Sequence, residues 1–171
     1  MQASTPIRLI LAVVGFLLTA GGPAASSLAP QTIRVMTYNI HHGEGTDGKI
    51  DLERIAQVIR RERADIVALQ EVDRGVERTA RRDLIAELAK LTKMNFAFGK
   101  NIDYQGGDYG NAILTRFPIV KQENHHYKMI RPGEQRGLLQ VVVKIRGKQL
   151  LVLNTHIDYR PDDSERVMNV E

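Results

Sequence analysis

The sequence predicts an α/β chain, a mixed sheet or two-sheet β-sandwich with helices on the outside. Two amphipathic helical patterns come early in the chain, and most of the short apolar strands come late. Arg146-Gly147-Lys148 then makes a tight turn that joins the last two strands as a hairpin. Late hairpins fit such a layered arrangement better than an all-parallel sheet.

The elements follow in order. Ile33 to Asn39 is rich in β-forming residues and reads as a strand, followed by a glycine-rich loop, HHGEGTDGK. Asp51 is placed as an N-cap, with Ile50 and Ile55 as a hydrophobic staple around it. Leu52, Ile55, Ala56, Val58 and Ile59 give that helix its core face, and it should end near Arg63. Asp65 to Val72 is apolar enough for a strand buried on both faces. Leu84, Ile85, Leu88 and Leu91 repeat at helical spacing and mark a second helix. Phe96–Phe98, Ala112–Thr115, Ile119–Tyr127, Leu138–Ile145 and Leu150–Asn154 read as strands, and Asp103–Tyr109 reads as a flexible turn bordering a cleft.

Composition narrows the function classes. With 171 residues, 43% hydrophobic and 26% charged, the chain has the make-up of a globular protein and not of a disordered or fibrous one. It has no cysteine, which excludes a disulfide framework, a thiolate metal site and a cysteine nucleophile. The net charge of +4 is too small to argue nucleic-acid binding by itself. Arg74, Arg78, Arg81 and Arg82 form a local basic run that could face phosphates, although a solvated face is the commoner meaning of such a run.

The first thirty residues read as an address. Arg8 precedes the uncharged apolar stretch Leu9 to Ala20, and small residues, GGPAASS, follow it. That is the order of a secretory signal peptide, too short for a comfortable membrane span, which needs about 20 apolar residues. The expected organisation is a signal peptide over residues 1–30 and one domain over 31–171. The expected location is the periplasm or the exterior, with no stable membrane span after processing and no protein partner evident.

Candidate chemistry sits where apolar strands end in polar residues. The first strand delivers Asn39, the second Gln70 and Glu71, and the last Asn154, His156 and Asp158. Any strand turns polar on reaching solvent, but three endings with complementary chemistry suggest one site. A carboxylate such as Glu71 is a hard oxygen ligand suited to Mg²⁺, with Mn²⁺ as the alternative ion. The Asn39 amide can add a neutral oxygen to the metal or donate to a phosphate oxygen. His156 can shuttle a proton or stabilise charge on phosphoryl oxygens. Asp158, two residues on, shares a face with His156 in an extended chain and is placed to orient the ring or stand behind the metal.

The strings VMTYNI ending in Asn39, ALQEV around Glu71, YGNAILTRFPI from Tyr109 and VLNTHID around His156 occur in that order. Together they closely resemble the endonuclease/exonuclease/phosphatase superfamily, over residues 33 to 169. That group includes DNase I-like nucleases, abasic-site endonucleases, sphingomyelinases and inositol polyphosphate phosphatases. The resemblance implies a DNase I-like β-sandwich flanked by helices and a divalent-metal-dependent hydrolase of phosphate esters. Its substrate would be nucleic acid, a phospholipid head group or a small phosphoester. Glu71 matches the metal-binding glutamate, Asn39 the active-site asparagine near metal and phosphate, and His156 the histidine of the Asn-Thr-His motif. Arg136 matches a position that approaches substrate phosphate. Asn111 and Asn154 join it as substrate-side candidates, with Asn111 read first as support for the sheet.

The superfamily pattern continues with a Gly-Asp-Phe-Asn-like segment and a Ser-Asp-His-like segment, and these 171 residues contain neither. The sequence-based expectation is therefore a sandwich truncated at its C-terminus, with hydrolase activity assigned to a longer parent. The alternative is an inactive remnant that at most binds phosphate-bearing ligands. His41-His42 and His125-His126 are expected to be ordinary loop histidines, because adjacent side chains on a strand point to opposite faces. No serine sits in a nucleophile-elbow context.

Overall fold

The structure, a computed structural model, describes residues 32–170, so the segment read as a signal peptide lies outside the described residues. Strand β1 (Val35–Asn39) leads through helix α1 (Leu52–Arg61) to β2 (Ile66–Arg74), and helix α2 (Leu84–Thr92) leads into the β3 (Asn95–Tyr104) and β4 (Gly107–Thr115) hairpin. Strands β5 (Ile119–His126), β6 (Gly137–Ile145) and β7 (Lys148–Thr155) follow, then helix α3 (Ser164–Val170). The first sheet has the order β1-β2-β4-β3 and the second β5-β6-β7. Strands β1 and β2 are parallel, so the end of β1 at Asn39 stands opposite Gln70, and β2 runs on to Arg74. The remaining pairs are antiparallel.

Burial on both faces of the first sheet makes the layers. Val67, Leu69, Val72, Ala112 and Leu114 pack under the helices with Leu52, Ile55, Ile59, Leu84 and Leu88. Ile66, Ala97 and Ile113, on the other face, pack against Leu139, Val141 and Val143 of the second sheet. Leu69 and Leu114 are wholly buried, and truncating either to alanine costs about 2–5 kcal/mol. The second sheet exposes Leu151 and Leu153 on its far side, each more than half accessible.

Local signals explain the element ends. Asp51 caps α1 by accepting from the Arg54 amide at 2.9 Å, and Asp83 caps α2 through the Ala86 amide at 3.2 Å. The last hairpin turns on Arg146 and Gly147, with φ of 48° and 81°, as a two-residue turn with both central residues left-handed requires. Gly110 is obligatory for a different reason, since a Cβ there would run into the Gly99 carbonyl oxygen of the neighbouring strand.

One expectation needs correction, and the basic run takes the commoner of its two meanings. Asp103–Tyr109 is not a flexible turn, because β3 runs to Tyr104 and β4 begins at Gly107, leaving only Gln105 and Gly106 between them. Polar and glycine residues hid the pattern, and antiparallel pairing down to Tyr104 and Gly107 supplies the order. Arg74, Arg78, Arg81 and Arg82 present no common phosphate-facing row. They pair with Asp83, Asp73, Glu77 and Glu87 respectively. Among the described residues no helix is long and apolar enough to cross a membrane.

Candidate active site

The site is built where β1 and β7 finish beside a bulge within β2. Strand β2 carries a bulge there, since Leu69 pairs with Ala112 but the next paired residue is Val72, opposite Gly110. Gln70 and Glu71 therefore face a single residue of β4, Asn111. Glu71 takes a left-handed φ of 60°, which costs a non-glycine residue about 1–2 kcal/mol. The bulge keeps Leu69 and Val72 on the helix side, where both are buried. It also turns the Glu71 carboxylate out to the sheet end.

Two side chains meet at that carboxylate. Asn39 Nδ2 donates to Glu71 Oε1 at 2.7 Å, and His156 Nε2 lies 3.7 Å from the same oxygen. Asn39 Oδ1 accepts from the His41 amide at 3.0 Å. The two bonds fix the orientation of the Asn39 amide, because exchanging its oxygen and nitrogen would break both. The Asn39 oxygen accepts one backbone bond and keeps a second lone pair, and Glu71 offers the charged oxygens beside it. Burial, followed by the nearby Arg136 charge, pulls the His156 imidazole below its ordinary range, against the opposing pull of Glu71 and Glu134.

Arg136 is buried and pairs with Glu134 at 2.7 Å. Asn154 is buried and donates to the Leu69 and Ala112 carbonyls, both at 2.8 Å, while accepting from Gln70 Nε2 at 2.7 Å. Asn111 donates to the Gly137 carbonyl at 3.1 Å. These bonds tie the two sheets together, which for Asn111 is the sheet-supporting role read first from the sequence. Burial is affordable for both asparagines only because their bonds are made. Asp158 lies beyond the end of β7, and its carboxylate accepts from Arg160 Nε at 2.7 Å.

Sequence reasoning missed Tyr109, His41 and His42. Tyr109 is buried, and burial with the Glu134 and Glu71 charges pushes its phenol well above the usual range, so it remains a proton donor. It lines a hollow of about 150 Å³ with Arg78, Ile102, Tyr104 and Glu134. Beneath it, Asp73 is fully buried and holds Arg78 through Nε and Nη2 at 2.8 and 2.9 Å. His41 and His42 do not follow strand alternation. Both are left-handed, in a 3-10 turn, and their ring centroids stand 4.3 Å apart. His42 is buried, not a surface histidine, and one ligand atom from each of His41, His42 and Glu71 lies within 4.8 Å of the others. His125 and His126 stand at the end of β5, not in a loop, and engage Glu123 and the Lys100 carbonyl separately.

The donor chemistry fits a divalent cation. A carboxylate held by an amide at a partly open sheet end suits an ion that takes few protein ligands and keeps its water.

Two packed sheets with outer helices, and a glutamate, asparagine and histidine at their polar end, define a DNase I-like protein. The chain belongs to the endonuclease/exonuclease/phosphatase family, whose sequence profile matches residues 36–164. It is 32% identical over 139 residues to the uncharacterized protein YbhP of Escherichia coli K12, covering 75% of this chain and 54% of YbhP. A 5'-tyrosyl-DNA phosphodiesterase of Caenorhabditis elegans is 29% identical, covering 78% of this chain and 34% of that protein. The crystal structure of an endonuclease/exonuclease/phosphatase from Beutenbergia cavernae superposes with a TM-score of 0.66 at 26% identity, covering 81% of this chain and 42% of that one. The chain thus spans about half the length of the bacterial relative and less of the nematode one.

Proposed function

We propose that the protein hydrolyses phosphate esters with a divalent cation, Mg²⁺ or Mn²⁺, held at Glu71, and that it acts after export from the cytoplasm. The observation that carries the reading is the meeting of Asn39 Nδ2 and His156 Nε2 at one oxygen of Glu71. A cation bound there supplies charge that polarises a phosphoryl oxygen. Asn39 holds the carboxylate in place. His156, kept neutral by burial and Arg136, can hydrogen-bond a phosphoryl oxygen or take a proton. The Tyr109 phenol stays protonated and can donate to the ester, and Arg136 adds positive charge at the same end.

Family membership supports the reaction class, and the relative named as a tyrosyl-DNA phosphodiesterase supports a phosphodiester substrate. Arg8 followed by the apolar stretch Leu9 to Ala20 supports export. The test is turnover by the protein purified from its native gene. Single-stranded DNA, phospholipid vesicles and a chromogenic phosphate ester would each be offered with Mg²⁺ and with chelator. Chelator-sensitive cleavage of at least one, lost in His156→Ala, is expected. Chelator-insensitive cleavage, or no cleavage of any, would overturn the reading.

A further inference from the structure

We infer that His41, His42 and Glu71 form a binding site for a borderline transition-metal ion of the Zn²⁺ or Co²⁺ class, which Mg²⁺ fills poorly. The site shares Glu71 with the reading above but does not require the protein to be a hydrolase.

The first argument is proximity. One ligand atom from each residue lies within 4.8 Å of the other two. Atoms on one ion at about 2.1 Å are at most about 4.2 Å apart, so side-chain rotation of under about 1 Å closes the set. The second is the state of His42. Its Nε2 faces Glu44 Oε2 at 3.3 Å, while Nδ1 is buried and has no hydrogen-bond partner among the described residues. With the proton on Nε2, shared with Glu44, Nδ1 holds an unused lone pair. A carboxylate behind an imidazole is how metal-ligating histidines are oriented. Leaving such an atom dry and unpaired costs about 1–3 kcal/mol unless something binds it.

The third argument is backbone strain. Ala80 and Lys93 are left-handed at helix ends, and Gln105 and Arg146 at hairpin turns, where such φ values are ordinary. His41 and His42, at φ of 46° and 43°, lie instead just past β1, and Glu71, at 60°, lies in the bulge within β2, yet their ligand atoms converge. Two imidazoles and one carboxylate are a donor set for borderline metals, whereas Mg²⁺ prefers oxygen.

The test is a Co²⁺ titration of the purified protein followed by its visible d–d absorption, with Zn²⁺ and Mg²⁺ as competitors. Zn²⁺ should displace Co²⁺ and Mg²⁺ should not at tenfold excess. The exposed His41→Ala should weaken Co²⁺ at least about tenfold, and Glu44→Gln by about 10–100-fold. As His42→Phe disturbs a buried position, a second measurement leaves the protein unmutated. Paramagnetic Co²⁺ should shift and broaden the ring proton signals of His41 and His42 before those of His125 and His126. Unchanged Co²⁺ affinity in folded His41→Ala and Glu44→Gln, displacement by Mg²⁺, or equal broadening of all four rings would overturn the inference. Each of these results is independent of turnover, so failure of the hydrolase reading leaves its own mark in the turnover assay.

Discussion

The Asn39 amide nitrogen donates to Glu71 Oε1 at 2.7 Å across the ends of two parallel strands. That bond joins residues thirty-two positions apart and depends on β1 ending beside the bulge in β2. Asn39→Ala should leave the fold intact, because Asn39 is exposed, but free the carboxylate to rotate. Cation affinity is expected to fall about 10–100-fold, as for other groups that orient a ligand. Calorimetric titration of metal into wild-type and variant protein checks this.

Glu71 stands at a bulge with a left-handed φ of 60°. Glu71→Gly should therefore stabilise the protein by about 1 kcal/mol while removing the cation ligand. Urea denaturation in chelator should show the higher midpoint. An unchanged or lower midpoint would mean that the bulge is not strained.

His156 is held below its ordinary pKa by burial and then by Arg136. In the metal-free protein its ring should titrate below the usual value of about 6.5. Arg136→Gln should raise that midpoint and Glu71→Gln should lower it, as NMR of the ring protons would report. The sign for stability follows from proton binding. As pH falls below the unfolded value, the unfolded chain takes up a proton that the folded chain resists. The contribution of His156 is then present above the unfolded pKa and is lost as the solution is acidified.

Asn154 makes three bonds between the sheets, to Leu69, Ala112 and Gln70. Asn154→Leu keeps the volume and strands those partners in a dry interior, at a cost of about 3 kcal/mol or more. Thermal unfolding should show a clear fall in Tm, with activity loss following from unfolding and not from lost substrate contact.

Much of this was legible in the sequence, for identifiable reasons. The Asp51 cap and the Leu52–Ile59 face follow local rules, and the structure reproduces them. Asn39, Glu71 and His156 stood out because polar chemistry ends otherwise apolar strands. What was hidden depends on distant partners. The bulge at Gln70 and Glu71 exists only relative to Asn111, some forty residues away. An asparagine at a strand end looks the same whether it meets solvent or, like Asn154, bridges two sheets. His41 and His42 were read with strand alternation, and two left-handed residues in succession override it.

The central claim is that Glu71 holds a divalent cation for phosphoester hydrolysis, and Glu71→Gln tests it most directly. Wild type and variant, both produced from the native gene and both shown to be folded, would be compared for Mg²⁺-dependent turnover. We predict that the substitution, which keeps the shape but removes the charge, reduces kcat/KM at least about a hundredfold at saturating Mg²⁺. Turnover within about twofold of wild type would contradict the account.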